Sequence, residues 1–213
     1  MKPVILFDLD GTIIDSTEAI LDGFRVAFET FGENVPDDKA IKDEIGHTLE
    51  NMFLTLGVEP NMVDAHVNSY KMHYRVVSCQ KTVLLKGARE AIEEASKFAT
   101  LGVVTTKTGE YSTILLEHMG LMRYFDVLIG REDVEYPKPH KEPILKALAK
   151  LEHDKSNTWM IGDTCMDMDS ARDAEVNYIA VTSGYASYSI LKKCAFNICK
   201  DVQEAIEFIK KSD

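Results

Sequence analysis

Four short stretches of this chain carry side chains that could do chemistry together. Near the start, Asp8-Leu9-Asp10-Gly11-Thr12 sets two carboxylates two residues apart. Thr105-Thr106 closes an apolar run, and Lys138 stands between two prolines in Tyr136-Pro137-Lys138-Pro139. Gly162-Asp163 is followed four residues later by Asp167. Each stretch alone has an ordinary reading: the acid pair as a loop or helix cap, the threonines as strand filler, the lysine as a solvated loop tip. Gathered at one rim, four carboxylates, a hydroxyl and an ammonium would repel unless a cation joined them. Oxygen-only ligands select a hard ion, Mg²⁺ ahead of Zn²⁺. With Asp8, Asp163 and Asp167 ionised, Mg²⁺ and Lys138 balance their charge and leave Asp10 able to hold a proton. Such a near-neutral site suits a phosphate ester, and backbone N–H groups at Leu9, Asp10 and Thr106 offer further donors.

The elements that must position these residues follow from hydrophobic pattern. Val4–Phe7, Leu101–Thr105, Val127–Ile129, Thr158–Ile161 and Tyr178–Val181 are short apolar, β-prone runs and read as buried strands. Between them, residues 87–98, 110–119, 142–151 and 166–174 carry apolar side chains three and four apart, and 201–209 closes the chain in the same way. Strand–helix alternation implies a doubly wound, Rossmann-like parallel sheet covered by helices on both faces. Ligands of such a sheet bind beyond the carboxyl ends of its strands, where all four stretches fall.

One region breaks the rhythm. From Ser16 to about Lys81 the periodicity is helical throughout, with Ala19, Ile20, Phe24, Ala27, Phe28 and Phe31 on one face and Gly32 as a stop. Further helices are expected over 41–45, 49–56 and 62–77. A segment this long cannot be a plain crossover. The expected organisation is an α/β core of residues 1–14 and 82–213 with an all-α insert over 15–81.

Composition narrows the remaining classes. The chain of 213 residues has 24 Lys+Arg against 35 Asp+Glu, a net charge of −11, which disfavours a nucleic-acid or anionic-membrane surface. Hydrophobic residues at 45% exclude a disordered chain. No apolar run approaches a membrane span, and Val4–Phe7 is too short for a signal peptide, so the expected location is cytoplasmic. Cys79, Cys165, Cys194 and Cys199 form no C-x-x-C pair and fit no zinc spacing. Free thiols are expected, with a Cys194–Cys199 bridge left open.

With these motifs in view, the sequence resembles the haloacid dehalogenase superfamily, in particular its phosphatase branch and the phosphoglycolate phosphatase-like enzymes with their pyrophosphatase relatives. FDLDGTIIDS, GVVTT, PKPHKEP and GDTCMD match the four motifs of that family in order, and YFDVLIGREDV and VTSGY extend the similarity over nearly the whole chain. The resemblance implies that the insert is a helical cap. It further implies that Asp8 attacks phosphorus, that Asp10 protonates the leaving oxygen and then activates water, and that Thr105 and Lys138 bind the transferring phosphoryl group. By the same resemblance Asp8, the Asp10 carbonyl and Asp163 hold Mg²⁺, with Asp167 acting through metal-bound water. The implied activity is hydrolysis of a small phosphorylated metabolite. An inorganic pyrophosphatase or a β-phosphoglucomutase-like phosphotransferase is the alternative, and a non-catalytic phospho-signalling module a remoter one.

Asp10 argues against a dehalogenase, which has no alkoxide to protonate. In the insert, Ile45-Gly46-His47-Thr48-Leu49 resembles the family's specificity loop, making Gly46, His47 and Thr48 candidate substrate contacts beside Leu9, Thr106 and Lys138. Leu49 stands where phosphonatases have Lys and phosphomutases commonly Arg, which leans toward hydrolysis. His47 also reads as a plain solvated loop residue. His66 and His73 lack a third ligand, and His140 reads as support for the Lys138 loop. Asp15-Ser16 is the expected cap and hinge of the first insert helix.

Overall fold

The structure, a computed structural model, describes residues 2–212. Strand β1 (Val4–Phe7) is followed by β2 (Ile14–Asp15), then by four helices: α1 (Thr17–Thr30), α2 (Asp38–Asp43), α3 (Leu49–Thr55) and α4 (Val63–Val77). The chain returns through β3 (Val83–Leu84), which pairs with β2. Alternation then begins with α5 (Ala88–Ala95), β4 (Thr100–Val104), α6 (Gly109–His118), β5 (Val127–Ile129) and α7 (Glu142–Leu148). It ends with β6 (Thr158–Gly162), α8 (Cys165–Ala174), β7 (Asn177–Val181), α9 (Tyr188–Leu191), β8 (Ile198–Cys199) and α10 (Val202–Ser212).

Two compact units result: one holds the chain up to Asp15 and from Leu84 onward, the other Ser16–Val83. In the first, six strands lie in the order β5-β4-β1-β6-β7-β8, all neighbours parallel. The sheet buries both faces, so β1 reads VILF with no exposed position. Strand order reverses at β1, which pairs with β4 on one side and β6 on the other. That is the switch point where an open parallel sheet leaves a crevice at its carboxyl edge.

The second unit is built on a stripe of α1 (Ala19, Ile20, Phe24, Ala27, Phe28) and one of α4 (Val63, His66, Val67, Tyr70, Tyr74). Phe24 packs against Phe53, tilted, at 4.5 Å and edge-on against Tyr70 at 5.1 Å between ring centroids. His66 is fully buried among Phe28, Phe31 and Phe53, with Nδ1 2.9 Å from the Met62 carbonyl and Nε2 3.2 Å from Glu33. His73 and Lys81 both bond Asp22, and those two bonds hold its carboxyl below the usual range. Both histidines are therefore engaged in packing or hydrogen bonding within this unit.

Two expectations are corrected. Ser16 occupies the N-cap position of α1, yet its side chain makes no capping bond; its carbonyl accepts from Ile20 N–H instead. The expectation of four free thiols holds for Cys79 and Cys199 and fails for the other two. Cys165 and Cys194 form a disulfide with a Cα–Cα distance of 5.7 Å, and the Cys194–Cys199 bridge is not formed. The reason is topological: α8 starts at Cys165, and the short α9 brings Cys194 back beside it, a proximity that spacing along the chain does not reveal. Burial pushes the Cys199 thiol up to about 11, with Glu204 and Asp201 adding to it.

No helix of the described residues is long and apolar enough to cross a membrane. The disulfide closes a loop of sequence separation 29. Such a loop is worth about 3–4 kcal/mol on the chain-entropy account. Cys194→Ala, or reduction of the wild type, is expected to lower the urea midpoint accordingly; identical midpoints with and without reductant would contradict the bridge.

Candidate active site

The central strands β4, β1 and β6 end side by side, and the next residues are Thr105, Asp8 and Asp163. Sheet bonding continues one residue past the strands: Asp8 N–H donates to the Ile161 carbonyl at 2.9 Å, and Thr105 N–H to Ile129 at 3.0 Å. Both backbones are therefore fixed by the core. Lys138 reaches them from the loop after β5. Its ammonium has three protons and spends them on three acceptors: Asp8 Oδ1 at 2.6 Å, Asp167 Oδ1 at 2.6 Å and the Val104 carbonyl at 3.0 Å.

The two acids of the GDTCMD stretch are held differently. Asp163, wholly buried, accepts from Tyr185 N–H at 2.8 Å and from the Thr12 hydroxyl at 3.3 Å. Asp167 lies in the first turn of α8 and takes Thr164 N–H at 3.0 Å and the Thr164 hydroxyl at 2.7 Å on Oδ2. This reciprocal cap locks the carboxylate that faces Lys138. Close approach explains the glycines here. A Cβ on Gly11, whose φ is 84°, would lie 2.4 Å from Asp163 Oδ2, one on Gly184 2.1 Å from the same oxygen, and one on Gly162 2.3 Å from Asp167 Cγ.

Charge is the problem this geometry must solve. Oxygens of Asp8, Asp163 and Asp167 lie within 4.8 Å of one another, all buried. Burial pushes the Asp8 carboxyl up to about 7, against the pull of Lys138 and with repulsion from Asp167 and Asp10. Asp163 is held well above the usual carboxylate value by burial first, then by Asp8 and Asp167. Burial works against the Lys138 ammonium too, but Asp167 and Asp8 outweigh it and hold its pKa above the usual lysine value. Three buried acids against one lysine leave a double negative charge, and the donors are all oxygen. A hard divalent cation fits that set in both charge and ligand type.

Of the other predicted residues, Asp10 sits at the same edge, its Oδ2 3.3 Å from Lys107 Nζ. The carbonyl of buried Leu9 accepts from the Thr12, Ile13 and Ile14 amides, which turns the chain after β1. Thr106 is half-buried directly after Thr105. Gly46, His47 and Thr48 belong to the second unit: Gly46 has φ 111°, His47 is exposed, and the buried Thr48 hydroxyl accepts from Asn51 N–H as the cap of α3. His140 braces its loop, accepting from Glu142 N–H and, through its carbonyl, from Ser170. Sequence reasoning missed Thr12, Thr164, Lys107 and the Tyr185 amide. Thr12 and Thr164 lie inside stretches already singled out, so their spacing was readable. A backbone amide has no residue type to read.

This constellation has counterparts. The sequence profile of the haloacid dehalogenase-like hydrolases matches residues 5–181. The chain belongs to that family. The "Probable phosphatase IndB" of Dickeya dadantii is 36% identical over 198 residues, covering 90% of this chain and 86% of its own. Pyrophosphatase PpaX of Halalkalibacterium halodurans is 33% identical over 183 residues, covering 85% and 83%. In structure, a haloacid dehalogenase-like hydrolase of Streptococcus pneumoniae superposes with a TM-score of 0.87 at 27% identity, over 97% of this chain and 98% of that one. The protein is thus a haloacid dehalogenase-like hydrolase with phosphatase relatives.

The raised carboxyls of this hydrolase set the sign of its pH dependence. As pH rises from 3.8 through the folded value of about 7, the native state holds protons that the unfolded chain has lost. Stability of the metal-free protein therefore falls across that window. Urea midpoints in EDTA at about pH 5 and about pH 8 are expected to drop for wild type and to drop less for Asp8→Asn; a wild-type midpoint that rises with pH would refute the charge argument.

Proposed function

We propose that the chain is a Mg²⁺-dependent phosphatase that hydrolyses a small phosphorylated metabolite through an aspartyl-phosphate on Asp8. The observation that carries the reading is the buried group Asp8, Asp163 and Asp167 clamped by Lys138, with the Thr105 hydroxyl at the neighbouring strand end. Phosphoryl transfer is mostly a matter of positioning and of stabilising charge on the equatorial oxygens, and this edge supplies both.

In this mechanism an Asp8 carboxylate oxygen attacks phosphorus while the bond from phosphorus to the leaving oxygen breaks. Asp10, two residues along the same turn, gives that oxygen its proton. Lys138 fixes the Asp8 carboxylate through Oδ1 and places its positive charge beside the transferring group. Thr105 Oγ1 accepts from Lys107 N–H at 3.1 Å, so its own proton is available to a phosphoryl oxygen. Water then attacks phosphorus, Asp10 takes the proton back, the bond from phosphorus to the Asp8 oxygen breaks, and phosphate leaves. Asp8 and Asp163, with the Asp10 carbonyl, would hold Mg²⁺, and Asp167 would support it. When bound, the ion supplies Lewis-acid stabilisation of the phosphoryl oxygens.

A phosphoglycolate-like monoester is the first substrate reading. Inorganic pyrophosphate is the second, favoured by the likeness to PpaX. Leu49, where phosphomutases commonly have Arg, supports hydrolysis over transfer between sugar hydroxyls.

Asp8→Asn is expected to cut Mg²⁺-supported release of inorganic phosphate by on the order of 10³-fold or more, the scale of removing a nucleophile. EDTA should abolish wild-type release and excess Mg²⁺ restore it. An Asp8→Asn variant that hydrolyses p-nitrophenyl phosphate at the wild-type rate would sink the mechanism.

A further inference from the structure

A second lysine stands at this edge, against Asp10 where Lys138 meets Asp8 and Asp167. Lys107 Nζ lies 3.3 Å from Asp10 Oδ2, and only 10% of its side chain is exposed, against 13% for Asp10. Lysines seldom withdraw from water this far without a partner that repays the cost. Lys138 is already committed to Asp8, Asp167 and the Val104 carbonyl, so the carboxylate group is clamped without Lys107.

The backbone beneath Lys107 is anchored on both sides. Its N–H donates to Thr105 Oγ1 at 3.1 Å and its carbonyl accepts from Arg131 N–H at 3.0 Å. Two residues on, Gly109 N–H meets both oxygens of Glu132 at 3.0 and 2.9 Å. A Cβ on Gly130 would lie 2.3 Å from the Gly109 nitrogen, so the loops after β4 and β5 are pressed together. The backbone is thereby fixed, and the place of the ammonium depends on what the side chain meets.

That place is set by Asp10. In the phosphatase reading, on which this inference rests, Asp10 protonates the oxygen joining phosphorus to the leaving group. Whatever is attached to that oxygen departs past Asp10 and hence beside Lys107 Nζ. We propose that Lys107 is a specificity residue that selects phosphoryl donors whose leaving group carries negative charge of its own, a phosphate or a carboxylate. Donors with neutral alcohol leaving groups gain nothing from an ammonium there.

The test compares kcat/KM of wild type, Lys107→Met and Lys107→Arg on pyrophosphate, 2-phosphoglycolate and glycerol 3-phosphate, all with Mg²⁺. One charge-assisted hydrogen bond corresponds to about 10- to 100-fold. For Lys107→Met, the preference for pyrophosphate or phosphoglycolate over glycerol 3-phosphate is expected to fall by about that factor. Lys107→Arg, which keeps the charge and guards against a folding defect, is expected to retain most of the preference. Whichever anionic donor loses more identifies its leaving group, phosphate or carboxylate, as the one Lys107 meets. Equal losses on all three donors would overturn the inference, since Lys107 would then act only through Asp10. A wild-type enzyme that turns over none of the three would overturn the phosphatase reading, and the inference with it.

Discussion

Everything at the carboxyl edge of this sheet depends on keeping three buried carboxylates, Asp8, Asp163 and Asp167, within 4.8 Å of one another. Left to themselves, like charges at that distance in a poorly hydrated site separate or take up protons. Burial pushing Asp8 to about 7 is the measure of that tension. Lys138 relieves part of it by lying between Asp8 and Asp167, and its own elevated pKa shows that the lysine gains from the arrangement. Breaking such a clamp from one side would leave the remaining charges buried and unpaired, a cost of about 3–5 kcal/mol. The residual negative charge is what makes the edge receptive to a cation.

Holding charges together against repulsion requires a stiff frame, and the sheet supplies it. Asp8 and Thr105 follow strands whose amides continue the ladder for one more residue, so neither backbone can retreat. Asp167 is pinned by the cap of α8 and Asp163 by the Tyr185 amide. The glycines complete the frame by omission. Side chains at Gly11, Gly162 or Gly184 would occupy the space of the carboxylates themselves. A strand order that reverses at β1 puts these supports on both sides of Asp8. The same charges displayed on a surface loop would relax apart.

How far this was readable in advance follows from the same physics. The five parallel strands with apolar runs were legible because a sheet covered on both faces must be written in Val, Ile, Leu and Phe. Asp8, Thr105, Lys138, Asp163 and Asp167 were legible as a group because each stands just beyond such a run or in the loop or helix turn after it. The short ribbon of β2 and β3, the four-residue α9 and the two-residue β8 were not, since elements so short carry no period. Lys107 was not singled out, since nothing in TTKT marks it; its withdrawal from water, to 10% side-chain exposure, belongs to the folded loops. Cys165 and Cys194 were misread for a related reason, that their proximity is made by the return of the chain through α9. Thr48, a candidate substrate contact by resemblance, is placed as a helix cap, a use that its position before Leu49 also explains.

The two lysines divide the edge in a way that net charge conceals. By its net charge of −11 the chain as a whole should repel phosphate. Attraction is local, and it depends on which cation is already spoken for. Lys138 pairs with Asp8 and Asp167 at 2.6 Å each, and they absorb much of its charge. Lys107 lies against Asp10, across a longer contact of 3.3 Å. In the in-line displacement proposed above, Asp8 would stand at the attacking end and Asp10 at the departing end. Positive charge at the first end orients the attack and contributes equally to every substrate. Positive charge at the second is felt only through what is leaving, so discrimination between donors has its physical origin there.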